Sequence, residues 1–150
     1  VNIGSVESRI PLAYHASYAG TKHAVLGLSE AIAEELRLAG VGRAIRVTTV
    51  LPWAADTLYW QNTANYSGRT PRMVLMDPPE TVARAIVRAS LHPRPRVAVG
   101  WKAKAALTAH ALLPDVAEAV AADVSHRAQM RDAPPAPDTP SRLWSHPTLG

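Results

Sequence analysis

The chain has 150 residues and a mass of 16.1 kDa, the size of one ordinary domain. Its 47% hydrophobic and 19% charged residues exclude a wholly disordered chain or a coiled coil. The lack of cysteine excludes disulfides, thiolate catalysis and every Cys-ligated metal site.

The net charge of +4 comes from 13 Arg and 3 Lys set against 12 acidic residues. The basic residues are spread along the chain, with no cluster and no aromatic-interleaved stripe, so no nucleic-acid partner is expected. The chain opens on Val1 rather than Met, and Val1-Asn2-Ile3-Gly4 already reads as the end of a buried strand. The expectation is a piece of a longer protein, with no signal peptide visible. Together with the missing cysteines, this makes the expected location cytoplasmic.

Val6–His15 reads as a loop containing Pro11. A long helix follows from about Ser17 to Ala39, with Ser17 as N-cap and Gly40 and Gly42 as the stop. Val25, Leu28, Ile32 and Leu36 form its apolar stripe, read as core and subunit contact. Ile45–Leu51 is rich in β-branched residues and closes at Pro52, as a buried parallel strand does.

Trp53–Met76 lacks periodicity and reads as a lid, with Leu58, Tyr59 and Trp60 near its start. Asp77-Pro78-Pro79-Glu80 announces a helix capped by Asp77, with Val82, Ile86 and Ala89 on its inner face. Arg96–Gly100 is a short strand. Trp101–Leu113 and Asp115–Met130 are Ala-rich helices broken at Pro114. Strands alternating with helices mean an α/β fold with a parallel sheet, here about half of one with an open edge. The division is a domain over residues 1–131 and a Pro-rich tail over 132–150, wrapped on the surface through Leu143 and Trp144.

One constellation carries chemistry. Tyr18 and Lys22 stand four apart and share a helix face. Ser5 lies just past a strand end, where α/β proteins place ligand groups. A phenol is a poor proton shuttle at neutral pH, and a nearby ammonium is expected to lower its pKa. A tyrosine so tuned exchanges a proton with an alcohol or carbonyl oxygen, and a serine hydroxyl holds the same oxygen. By composition alone, Tyr-x-x-x-Lys arises in roughly one chain in twelve; adding a Ser thirteen residues upstream makes that about one in two hundred.

Asn2-Ile3-Gly4-Ser5, the step from Ser5 to Tyr18, Tyr18-Ala19-Gly20-Thr21-Lys22-His23-Ala24-Val25, and Ile45-Arg46-Val47-Thr48-Thr49-Val50-Leu51-Pro52 followed by Asp56-Thr57 resemble the active-site region of short-chain dehydrogenase/reductases. The close resemblance runs from Val1 to about Thr57. It implies the C-terminal half of a Rossmann-like doubly wound parallel sheet, and an oxidoreductase interconverting a ketone or aldehyde and an alcohol with NADP or NAD.

By that resemblance Tyr18 is the general acid/base, Lys22 tunes Tyr18 and bonds the nicotinamide ribose, and Ser5 positions the substrate carbonyl. The segment from Pro52 through Trp53 to Thr57 runs beside the cofactor, with Thr57 touching its amide or phosphate end. Leu58, Tyr59 and Trp60 wall an apolar substrate, and the Tyr18-bearing helix contributes to a homo-oligomer. Trp53 departs from the family, which usually has Gly after the Pro. The family's Gly-rich turn, its NAD-or-NADP selector and the Asn that many members add have no counterpart in these residues.

The six histidines show no helical ligand spacing, so no metal is expected. His15 is read as loop surface beside the site, and His23 as helix flank. Ala103–Val124 is apolar, but Pro114, Asp115, Glu118 and Asp123 favour a packed or partner-facing helical pair over membrane association. The alternative function is a truncated, non-catalytic remnant acting as a protein-binding module through its open sheet edge.

Overall fold

The computed structural model describes residues 1–70, 73 and 75–140. Three parallel strands, β1 (Asn2–Ile3), β2 (Thr49–Leu51) and β3 (Arg96–Ala98), form a sheet in the order β1-β2-β3. Asn2 pairs with Thr49, and Val50 lies between Ile3 and Val97. The helices are α1 (Ala16–Leu38), the short α2 (Tyr59–Asn62), α3 (Pro79–Leu91), α4 (Gly100–Leu112) and α5 (Pro114–His126). A 3₁₀ turn spans Val6–Ser8, and a π turn, Arg127–Arg131, extends α5.

The strand alternation of side chains sorts the core into two layers. Val50, Val97 and Val99 pack with Val82, Ala85, Ile86 and Ala89 of α3. Ala98, one residue along from Val97, turns the other way and joins Val6, Ile10, Trp53 and Ala103. The sheet is thus covered by α3 on one face and by α4 with the 3₁₀ turn on the other. The inner face of α3 is the one expected from its spacing.

Four expectations change. Ser17 is exposed within α1; His15 occupies the N-cap position, without a side-chain capping bond. The buried face of α1 is Ala19, Leu26 and Ser29, while Leu28 is 62% exposed. The cause is the contact with β1: Ser29 accepts a hydrogen bond from the Asn2 side-chain amide at 2.8 Å, and small residues let the helix approach. The second strand is shorter than Ile45–Leu51. Val41–Ile45 turns on itself, with both Ala44 N–H and Ile45 N–H donating to the Val41 carbonyl, and pairing begins only where β1 and β3 reach. Asp77 does not cap α3, whose N-cap is Pro78; its carboxylate instead meets Lys102 Nζ at 2.5 Å.

Most of the lid is irregular, as read, apart from α2. Its far half pairs with the Pro-rich segment. Asn65 and Thr139 exchange backbone hydrogen bonds at 2.8 Å, Thr70 N–H donates to Pro134, and Ala136 N–H donates to Gly68. The surface wrap expected of Leu143 and Trp144 lies outside the described residues. No helix among the described residues is long and apolar enough to cross a membrane.

Candidate active site

Because the three strands are parallel, their C-terminal ends share one edge of the sheet. Ser5 follows β1 there, and Pro52 follows β2. The two segments are joined by the Val6 N–H, which donates to the Pro52 carbonyl at 3.0 Å. Ser5 has extended backbone and caps the 3₁₀ turn: its hydroxyl accepts from the Glu7 N–H at 3.1 Å, and its own N–H donates to Ser8 Oγ at 3.0 Å. Gly4 permits this close packing. A Cβ there would lie 2.8 Å from Ser8 Oγ and 2.9 Å from Leu51 Cδ2.

Tyr18 lies in the first turn of α1, with its phenol near enough to the Ser5 side chain to be influenced by it. Lys22, one turn on, donates from Nζ to the Ile3 carbonyl at 3.1 Å, with its ammonium 5.6 Å from the centre of the Tyr18 ring. That contact is within cation–π range. The structure therefore brings Ser5, Tyr18 and Lys22 together around the end of β1.

The electrostatics differ from expectation. The Tyr18 pKa is raised above the ordinary phenol value, chiefly by burial; the Ser5 hydrogen bond opposes this, and the Glu7 and Tyr59 charges add to it. The expected lowering by Lys22 is overridden. The ammonium is bonded to a backbone carbonyl and lies over the ring, where it stabilises a phenolate oxygen less than it would from a position beside it.

The post-β2 residues divide. Trp53 packs against the layer of Val6, Ile10 and Ala103. Thr57 is exposed, and its hydroxyl accepts from the Tyr59 N–H at 3.3 Å. Between them, Ala54 and Asp56 pair with Asp77, which Lys102 fixes from α4; both of these side chains are 12% exposed. Of the proposed substrate wall, Tyr59 comes closest to the centre, its ring 6.4 Å from that of Tyr18. Trp60 stands edge-on to Tyr59 at 5.3 Å and donates its indole N–H to the Ala55 carbonyl. Leu58 is exposed.

Two residues beside Tyr18 were not expected to matter. Glu7 is buried, and both of its carboxylate oxygens lie 3.1 Å from His15 Nδ1. His15 is therefore not loop surface: it is held between Glu7 and Gln129, and its pKa is raised, chiefly by the Glu7 hydrogen bond. A lone acid in a run of small and apolar residues was the available signal. The Gln129 contact, 114 residues away, left none. Among the described residues, no group of three or more His, Cys, Asp or Glu is placed to hold a metal ion.

Comparison with known proteins bears on the same residues. The family model described as short chain dehydrogenase matches residues 1–66. A relative from Bacillus subtilis named "Uncharacterized oxidoreductase YxnA" is 29% identical over 146 residues, covering 96% of this chain and 40% of the relative. The short-chain dehydrogenase/reductase ABA4 of Pyricularia oryzae is 36% identical over 84 residues, 56% of this chain and 29% of the relative. The crystal structure of a short chain dehydrogenase from Burkholderia cenocepacia in complex with NADP is similar with a TM-score of 0.63 and 25% identity, over 80% of this chain and 45% of that one. The chain thus spans less than half the length of each of these relatives. The matched stretch includes the strand, turn and helix that carry Ser5, Tyr18 and Lys22, and in sequence and in fold the chain is similar to short-chain dehydrogenases.

Proposed function

We propose that this chain carries the proton-transfer and substrate-holding part of an NAD(P)-dependent oxidoreductase that interconverts a ketone or aldehyde and an alcohol. The observation that carries the reading is the convergence of Ser5, Tyr18 and Lys22 at the C-terminal sheet edge, where the Lys22 ammonium bonds the Ile3 carbonyl and lies 5.6 Å from the Tyr18 ring centre. The donor set at this edge suits a nicotinamide nucleotide. The Lys22 ammonium and Tyr18 phenol offer protons to ribose hydroxyls, and the Pro52, Trp53 and Thr57 segment offers backbone and hydroxyl groups beside them. When bound, that cofactor supplies or accepts the hydride; the Burkholderia relative's NADP supports NADP or NAD in this role.

The chain's own residues handle the oxygen. Ser5 Oγ holds the substrate carbonyl, and Tyr18 Oη lies beside it. Burial keeps the phenol protonated, so Tyr18 gives its proton to the oxygen as negative charge develops there. The Lys22 charge and the Ser5 hydrogen bond stabilise the same oxygen. In the reverse direction Tyr18 must accept a proton, so alcohol oxidation rises with pH while reduction does not need alkali.

Tyr59, Trp60 and Leu58 support an apolar substrate, and the exposed Leu28 and Leu38 on α1 support a homo-oligomer formed through that helix. The test is Tyr18→Phe in the full-length protein. Turnover should fall at least ~10²-fold while NADPH binding, followed by fluorescence, persists. Full activity would sink the assignment.

The second reading, a protein-binding module, draws on β1, which pairs with β2 alone among the described residues and leaves Val1 and Ile3 exposed. Titration of the 150-residue chain with NADPH and NADH separates the two. Tight, saturable binding refutes the module.

A further inference from the structure

The site contains a buried charge pair that the proton transfer described above does not use. The Glu7 side chain is 10% exposed and that of His15 is 18% exposed. A carboxylate so deeply placed needs a partner, and His15 Nδ1 sits 3.1 Å from both of its oxygens. On its other side, His15 Nε2 lies 3.0 Å from Gln129 Oε1. The Gln129 amide nitrogen donates to Met73 Sδ at 3.4 Å, which leaves the oxygen to face His15. Both ring nitrogens thus face oxygen acceptors, and only the imidazolium donates from both.

The pair borders Tyr18 in two ways. The rings of His15 and Tyr18 meet edge-on at 6.4 Å. The Glu7 backbone N–H holds the hydroxyl of Ser5, which lies beside Tyr18. The charged and titratable groups around the pair come from each packed element: Glu7 from the 3₁₀ turn, Tyr18 and Lys22 from α1, and Tyr59 from α2. From α5 comes His126, whose Nδ1 is 2.6 Å from the hydroxyl of Tyr14, the neighbour of His15.

We propose that Glu7 and His15 act on Tyr18 as an electrostatic mask, in which the His15 imidazolium covers the Glu7 carboxylate and so sets how readily the phenol ionises. This rests on the reading of Tyr18 as the proton carrier. His15 is a positioning residue; it acts through Tyr18 and not on the substrate. While His15 is charged, the pair is neutral towards the phenol. When pH rises and His15 loses its proton, the bare carboxylate opposes the phenolate. The phenol then resists ionisation more strongly, and Tyr18 remains an acid further into the alkaline range. The Glu7 charge pushes the Tyr18 pKa upward, in agreement with this sign.

The experiment is the titration of Tyr18 in the full-length protein, read as the tyrosinate absorbance lost in Tyr18→Phe. Glu7→Gln should move that titration to lower pH, whereas His15→Gln should leave it in place, because His15 has already lost its proton where the phenol ionises. Both variants keep a hydrogen bond between the two positions. The loss of the mask is read in turnover at neutral pH, where kcat for alcohol oxidation should fall about threefold or more in His15→Gln and should not fall in Glu7→Gln, with KM within about twofold. A merely structural role loosens the site and lowers kcat in both variants. Should Glu7→Gln not fold, Gln129→Leu serves in its place. By removing the second acceptor it should lower the His15 titration seen by NMR and lower kcat for alcohol oxidation at neutral pH. A Tyr18 titration unmoved in Glu7→Gln, or kcat lowered alike in Glu7→Gln and His15→Gln, overturns the proposal. Because the absorbance titration needs no turnover, a protein without dehydrogenase activity would refute the proposed function while the Glu7→Gln titration still tests the carboxylate's hold on the phenol.

Discussion

At the residue scale, the convergence of Ser5, Tyr18 and Lys22 depends on small local devices. Gly4 stands where no side chain fits between Ser8 and Leu51, and it leads directly into Ser5. Gly4→Ala should therefore lower stability by about 1–3 kcal/mol, the usual cost of overpacking, and reduce turnover by displacing Ser5. Urea unfolding and kcat of the same variant check both effects. The Glu7–His15 pair adds a pH dependence with a definite sign. The folded-state pKa of His15 is raised above its unfolded value, so the pair's contribution is fully present below that unfolded value. It is lost as pH rises through the higher, folded one. The stability advantage of the natural protein over His15→Gln should thus be largest at mildly acid pH and shrink towards alkali, as denaturant midpoints across that range will show.

The grouping of Ser5, Tyr18 and Lys22 at the end of β1 was legible because their spacing is local: four residues on one helix, and one strand end thirteen residues before it. The Glu7–His15 pair was not. It depends on Gln129 and on a burial that spacing does not encode.

At the scale of elements, the helices were more legible than their ends. The spacing of Val82, Ile86 and Ala89 identifies the inner face of α3, and these residues pack on Val50 and Val99. Asp77 looked like the cap of that helix because the motif is local, but a charge 25 residues on, Lys102, draws its carboxylate away. That pair pins the post-β2 segment, since Asp77 also exchanges backbone hydrogen bonds with Ala54 and Asp56. Lys102→Met leaves the buried carboxylate uncompensated and should cost about 3–5 kcal/mol. Thermal unfolding measures it, and Asp77→Asn in the same background should recover part of the loss. The face of α1 was misjudged at Leu28 because contact with β1 favours the small Ala19 and Ser29, which a hydrophobic count overlooks.

At the scale of the whole molecule, the lid and the Pro-rich segment hold each other. Residues 65–70 of the lid bond to residues 134–139, and Arg69 Nη1 adds a bond to the Ala133 carbonyl at 3.2 Å. The proline content correctly excluded a sheet interior, but the edge pairing depends on the lid's own backbone, which carried no strand pattern. Removing the residues after Arg131 should raise amide exchange across residues 65–70 and raise substrate KM severalfold with a smaller change in kcat. Exchange mass spectrometry with steady-state kinetics tests this.

The central claim is that the Ser5, Tyr18 and Lys22 group works on an oxygen whose carbon exchanges a hydride. The most direct measurement is transfer of deuterium from nicotinamide-labelled NADPH or NADH to a panel of apolar ketones and aldehydes by the full-length protein, followed by mass spectrometry of the products. The expected product is an alcohol carrying the label on its carbinol carbon, lost in Tyr18→Phe. An unlabelled alcohol, or labelling undiminished in Tyr18→Phe, would contradict it.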